Sequence, residues 1–203
     1  MWNHNAHFHN YLLRQIPKRV YRALDVGCGL GLFALKLAER SEVVDALDVD
    51  SAVLAEALSL NPAPNIFYLK DDFLVADLPE TDYDVIVSIA TLHHMDIEAA
   101  LKKMKLLLRP SGKLLILGLY QEKTLIDYAY SIISVPLNVV YLKWHLASVT
   151  KPTTVVLTRP AQLPLNQIRK VADTIIPSFR LRRHLFWRYS LIWQKPSLLT
   201  SIQ

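Results

Sequence analysis

Ala23-Leu24-Asp25-Val26-Gly27-Cys28-Gly29-Leu30-Gly31 sits where one residue period gives way to another. Ahead of the glycines, Tyr21 to Val26 is a short apolar run suited to a strand. After them, Leu32, Phe33, Leu35, Leu37 and Ala38 are interrupted by Lys36, Glu39 and Arg40, which suits a helix over Leu30–Arg40 buried against a sheet. Glycines at such a junction let backbone amides approach a ligand closely. They also leave a helix N-terminus pointing at an anionic group such as a carboxylate or phosphate.

The same alternation runs on down the chain. Val43–Val49 reads as a strand and Val53–Leu60 as a helix with Asp50 at its start. Asn61-Pro62-Ala63-Pro64 breaks the chain before a strand at Ile66–Leu69. Val85-Ile86-Val87 with Ile89 is a fully buried strand by composition. Ile97, Leu101, Met104 and Leu108 recur at helical spacing opposite Lys102, Lys103 and Lys105, giving a helix over Asp96–Leu108 with Asp96 as its cap. Arg109-Pro110-Ser111-Gly112 then turns into a strand at Lys113–Leu119. Five strands alternating with helices predict an α/β fold with a parallel sheet wound on both faces. Arg180–Arg183 and Leu185–Trp193 alternate at period two and predict a closing antiparallel pair, in which Trp187, Tyr189 and Trp193 read as core before they read as base-stacking groups.

At 203 residues this is one domain, and 52% hydrophobic with 5 Gly excludes disordered and collagen-like chains. The lone cysteine, Cys28, makes no internal disulfide, and the first 25 residues hold no signal-type apolar run, so a cytoplasmic setting is expected. Residues 129–203 carry 10 basic groups against the single acid Asp173, whereas residues 1–128 are net acidic. That asymmetry points to an anionic partner or to a solvated basic face.

Asp48 lies nineteen residues after Gly29, at the end of the second strand, where an acid can accept both hydroxyls of a ribose. A nucleoside ligand follows. Residue 32 is leucine and the third glycine falls early, at Gly31, which departs from the dinucleotide fingerprint; a nicotinamide-dependent oxidoreductase is the weaker alternative. Leu32 and Phe33 stand where a Walker loop needs Lys and Ser or Thr, which disfavours a nucleoside triphosphate.

These stretches together resemble the class I S-adenosylmethionine-dependent methyltransferases, in particular the small-molecule enzymes of the type 11 kind. Residues 23–31 resemble the first motif and Ala46-Leu47-Asp48-Val49-Asp50 the second, with Asp48 as ribose acid. Lys70-Asp71-Asp72-Phe73 supplies the acid for the adenine amino group, Asp72 or its neighbour Asp71. Asp84-Val85-Ile86-Val87-Ser88 with Leu92-His93-His94 resembles the fourth motif, and Leu108-Arg109-Pro110-Ser111-Gly112-Lys113-Leu114 the fifth. The resemblance covers roughly residues 20–119. It implies a doubly wound, mostly parallel seven-stranded sheet in a single domain spanning 1–203. Within it, 1–19 would be a lid segment, 20–119 the cofactor-binding core, 120–178 a helical substrate-side region and 179–195 the closing strand pair. It further implies S-adenosyl-L-methionine as cofactor, with Asp25, Gly27, Cys28, Gly29, Asp48, Val49, Asp72, Phe73 and Ser88 as the residues that hold it, and no metal.

Methyl transfer from a sulfonium is an in-line displacement, so alignment and exclusion of water are the main tasks. A base near the acceptor helps where a proton must leave, and His93, just past the fourth strand, is the candidate; the competing reading is a histidine that packs or orders its loop. His4, His7 and His9 lack companions that would complete a metal-ligand set, and Phe8–Ile16 reads as a short helix lidding the cofactor. Cys28 reads as a small space-filling thiol. Ser88-Ile89-Ala90-Thr91 lacks the Asp/Asn-Pro-Pro-aromatic signature of methyltransferases acting on exocyclic amines of bases or on amide side chains, which counts against DNA adenine or glutamine methylation without excluding every RNA; the expected acceptor is a small organic molecule rather than a nucleic acid. The apolar stretch Leu125–Leu146, interrupted by Asp127, Pro136, Asn138, Lys143 and His145, reads as a broken lid over a lipophilic acceptor rather than a membrane span. With the cationic C-terminal region, it allows peripheral contact with anionic lipid. From a different class, a non-catalytic cofactor-binding module is the alternative.

Overall fold

A computed structural model describes residues 5–124, 126–128, 130, 132, 134 and 160–197. Seven strands, β1 (Val20–Val26), β2 (Ser41–Asp48), β3 (Ile66–Lys70), β4 (Tyr83–Ile89), β5 (Leu108–Leu119), β6 (Arg180–Arg183) and β7 (Arg188–Gln194), form one sheet. Their order is β3-β2-β1-β4-β5-β7-β6. The first five are parallel, and β7 joins β5 and β6 antiparallel. This is the doubly wound sheet with a closing pair that the alternation predicted.

The helices are α1 (His9–Leu13), α2 (Leu32–Ala38), α3 (Ser51–Leu60), α4 (Ile97–Leu107) and α5 (Leu165–Ile175). On one sheet face Phe8, Leu12, Phe33 and Leu37 pack on Ala23, Val85, Val87, Leu115 and Leu117. On the other, Leu101, Met104, Leu107, Ile168 and Ala172 cover Leu24, Val26, Ile86, Leu114 and Ile116. Central strands buried from both sides need apolar residues at nearly every position, which is why β1 and β4 read as continuous runs. Both acid caps are made: Asp50 accepts from the Ala52 amide at 2.8 Å, and Asp96 from the Ala99 amide at 2.8 Å.

Several boundaries differ from expectation, each for a local reason. Arg109–Gly112 does not separate a helix from a strand; β5 begins at Leu108 and carries a register shift there, with Ser111 at φ 65. The closing strand begins at Arg188 and not at Leu185, because Phe186 (φ 60) and Trp187 (φ 57) form the turn after β6, where the His184 amide donates to the Arg188 carbonyl at 2.8 Å. Tyr189 and Trp193 are buried, as the period-two reading required. The helix read over Phe8–Ile16 spans only His9–Leu13, and Phe8, Leu12 and Ile16 are built into the sheet's face as a core layer. Most of Leu125–Leu146, and His4, lie outside the described residues. No helix among those described is long and apolar enough to cross a membrane.

At the amino ends of β1 and β4 a closed ion network ties the sheet together. The Arg22 guanidinium donates to Asp45 at 2.8 Å and to Asp82 at 2.8 Å, Arg109 donates to Asp82 at 2.6 Å, and the Tyr83 hydroxyl donates to the buried Asp45 at 2.8 Å. The opposite, carboxyl edge of the parallel strands carries the glycine turn.

Candidate active site

β1 ends at Val26, and the chain turns through Gly27 (φ 70) and Gly29 (φ 53) before α2. Both occupy the left-handed region that disfavours side chains, but for different surroundings. A Cβ on Gly27 would collide with the Thr91 side chain, whereas one on Gly29 would meet nothing within 4 Å. Gly27 is therefore closed by protein, and Gly29 faces open space where a ligand can approach the backbone. The turn is held from β2: the Gly27 and Cys28 amides donate to the Leu47 carbonyl at 2.8 and 3.0 Å, and the Gly29 amide donates to Asp48 Oδ2 at 2.9 Å. Asp48 Oδ1 accepts from the Asp50 amide at 3.1 Å. Each carboxylate oxygen has further lone pairs to offer a ligand hydroxyl. Val49, the next residue, stands 62% exposed.

Beneath the turn lies Asp25, 1% exposed, with Oδ2 unpartnered among the described residues. Burial, and then the charge of Asp48, push its carboxyl up to about 7, against the hydrogen bond from the Ala34 amide that favours the ionised form. Two carboxylates thus meet at one glycine turn, one of them buried with an oxygen that no described residue satisfies. Burial and the same two carboxylates push the Cys28 thiol far up, so it stays protonated and unreactive.

The loop after β4 closes the site from the other side. Ser88 is fully buried with its hydroxyl unpartnered among the described residues, and Ala90 takes φ 53. The Thr91 hydroxyl lies 3.2 Å from the Gly27 carbonyl and 3.1 Å from that of Ile89. It joins the two loops that border the crevice at the strands' carboxyl ends, the place where open α/β sheets bind ligands. A short helical turn, Leu92–His94, follows; buried Leu92 pins it, and the ring of partly buried His93 lies tilted by 39° against that of exposed His94, their centroids 4.0 Å apart.

Comparison with known proteins bears directly on this geometry. An uncharacterized methyltransferase of Mycobacterium tuberculosis is 32% identical over 206 residues, spanning 96% of this chain and 98% of the relative. A family model described as a methyltransferase domain matches residues 24–116. The chain belongs to the class I S-adenosylmethionine-dependent methyltransferases. Among solved structures, an S-adenosylmethionine-dependent methyltransferase of Mesorhizobium loti shares 25% identity over 55% of this chain and 53% of that one, with a TM-score of 0.50. One from Listeria monocytogenes aligns over 95% of this chain and 100% of its own at a TM-score of 0.64; at 15% identity it supports the fold alone.

In this methyltransferase Asp25, Gly27, Cys28, Gly29, Asp48 and Val49 converge at the turn, as the motif spacing implied. Asp72 lies just past β3, exposed, its carboxylate accepting from the Leu74 amide at 2.9 Å, while the Asp71 amide donates to the Asp48 carbonyl at 3.1 Å. Phe73 differs: its side chain is 1% exposed in the core under the Lys103 ammonium, so only its backbone can face a ligand. His7 and His9 are packing residues, His7 edge-on to Phe8 at 4.9 Å and buried His9 edge-on to Phe33 at 4.9 Å. No cluster of three ligand-type side chains that could hold a metal occurs among the described residues. Sequence reasoning missed Thr91, since nothing in its neighbours marks a threonine whose job is to meet a glycine carbonyl 64 residues away.

Proposed function

We propose that this methyltransferase acts on a small lipophilic acceptor, with Asp25 and Asp48 holding the donor and His93 serving the acceptor side. S-adenosylmethionine, the family's donor, supplies an electrophilic methyl group on a sulfonium centre. The observation that carries the donor assignment is the buried Asp25 carboxyl with its unpartnered oxygen beside Asp48. A cationic ligand relieves the repulsion between the two acids and favours ionised Asp25. Asp48 has the lone pairs for ribose hydroxyls, Gly29 lets the ligand approach the backbone, and exposed Val49 offers an apolar platform for a base. Asp72 and the backbone of Phe73 are the groups for the adenine edge.

On the acceptor side, Thr91 fixes the loop bearing His93 to the glycine turn, so an acceptor proton released on transfer has an imidazole near it. Apolar side chains standing out beyond β5, Ile126 at 59% and Ile132 at 74% exposed, support a lipophilic acceptor. The cationic segment 129–203 supports peripheral contact with an anionic membrane from which such a molecule is drawn. The lone Cys28 supports a reducing, cytoplasmic setting.

The test is incubation with methyl-labelled S-adenosylmethionine and a panel of lipophilic hydroxy and carboxy compounds, followed by organic extraction. Label should enter the organic phase with wild type and not with Asp48→Ala, and His93→Ala should slow turnover without changing affinity for S-adenosylhomocysteine. Label transferred only to water-soluble acceptors, or none at all, would overturn the reading.

A further inference from the structure

Beyond the glycine turn, a cavity of about 330 Å³ opens between the start of α5, β6 and the segment that follows β5. That volume is within the range of small-ligand sites. Its walls include Leu165 and Arg169 of α5, Leu181 and Arg183 of β6, and Thr124 and Asp127. The charge is unbalanced. Asp127, 1% exposed, is already engaged: it accepts from the Lys123 and Thr124 amides at 3.1 and 2.8 Å, and its other oxygen pairs with Arg183 at 2.8 Å. These contacts hold its carboxyl below the ordinary range. Arg183 is braced by the rings of Tyr120 and Tyr130, each 5.7 Å from the guanidinium carbon, and its Nε is buried without a hydrogen-bond partner among the described residues. Arg169 lies exposed, 5.8 Å above the Phe179 ring, with no acidic partner among the described residues. The Thr124 hydroxyl accepts from the Asp127 amide at 3.2 Å and is itself hydrogen-bonded to the Asp127 carboxylate.

We propose that this cavity is an anion-anchoring subsite for the acceptor, taking the carboxylate of an amphiphilic organic acid while Leu165 and Leu181 meet its chain. The donors suit a carboxylate: the exposed, planar Arg169 guanidinium presents paired N–H donors to two oxygens, with the positive charge of Arg183 on the same wall. Position agrees with the role. Tyr120 directly follows β5, so the cavity opens at the same carboxyl edge of the sheet as the glycine turn. From β4 to β6 is three strand spacings, on the order of 14 Å. An acceptor anchored here would therefore carry its reacting group well away from its anionic end. The inference rests on the reading of a lipophilic acceptor and narrows it to a lipophilic anion.

Sodium decanoate, titrated as monomer into the full chain with S-adenosylhomocysteine present, is the direct probe. Saturable 1:1 binding is expected, weakened about tenfold or more in Arg169→Gln, which removes a charge-assisted contact from an exposed position. Arg183→Lys should weaken it as well while keeping Asp127 paired. Decanol and decyltrimethylammonium should bind far more weakly than decanoate. Equal affinity for decanol, decanoate binding unaffected by both variants, or association only with phosphatidylglycerol vesicles would overturn the proposal. S-adenosylhomocysteine titrated into the same variants keeps the two readings apart. If it binds and decanoate does not, the subsite fails and the donor site stands.

Discussion

Replacing Asp25 by Asn should stabilise the ligand-free protein at neutral pH while removing most of its affinity for donor. Asp25 is 1% exposed, and its carboxyl sits at about 7 against an ordinary 3.8, chiefly through burial and secondly through Asp48. A raised carboxyl means that the folded chain keeps a proton which the unfolded chain gives up above pH 3.8. Stability is therefore lost as pH rises from there to 7 and is level beyond. Three units correspond to about 4 kcal/mol. Asparagine does not ionise and can still accept from the Ala34 amide, so urea unfolding at pH 8 should show Asp25→Asn more stable by up to about 4 kcal/mol, and the gain should vanish near pH 4. Binding runs the other way. A cationic donor favours ionised Asp25, whose fraction in the free protein rises from about 0.1 at pH 6 to about 0.9 at pH 8, so affinity for S-adenosylmethionine should rise roughly tenfold over that range with proton release at pH 6. Calorimetry in buffers of different ionisation enthalpy reads both quantities. A pH-independent affinity without proton release, or an Asp25→Asn variant that is less stable and binds normally, would refute the reasoning.

Other perturbations separate fold from site. Gly27→Ala should lose about 1–3 kcal/mol of stability, because its Cβ meets Thr91 at a positive φ, whereas Gly29→Ala should lose only about 1 kcal/mol yet bind S-adenosylhomocysteine markedly more weakly; thermal unfolding and calorimetry on both variants check the contrast. Burial, and then Lys36, lower His9 to about 4, so its folded-state pKa lies below the unfolded 6.5, and stability is lost as pH falls through 6.5 toward 4. By pH 5 the loss is about 2 kcal/mol, and His9→Leu should flatten that part of the urea-midpoint profile. Arg22→Met should cost about 3 kcal/mol by leaving the buried Asp45 carboxylate with only the Tyr83 hydroxyl, and the Arg22→Met/Asp45→Asn double variant should recover most of it in urea unfolding.

Much of this molecule is legible in its residue order because parallel strands covered on both faces leave little freedom. β1 and β4 are apolar runs between turn signals, and the acids Asp50 and Asp96 announce the helices they cap. The glycine turn and Asp48 are legible because spacing along the chain and distance in space coincide: Gly29 lies in the turn after β1, and Asp48 ends the neighbouring β2. Readings failed where tertiary context overrides local pattern. Leu185 to Trp187 continue the alternation of β7, yet two consecutive left-handed residues turn the chain there. Thr91, and the pairing of Arg183 with Asp127, are long-range meetings that no local period encodes.

Calorimetric titration with S-adenosylhomocysteine and NADH side by side, on wild type and on Asp48→Ala, bears most directly on the nucleoside site at the glycine turn. Wild type should bind S-adenosylhomocysteine and not NADH, and Asp48→Ala should lose about a hundredfold in affinity, the worth of two charge-assisted hydrogen bonds. Binding of NADH in preference, or S-adenosylhomocysteine binding that Asp48→Ala leaves unchanged, would contradict it.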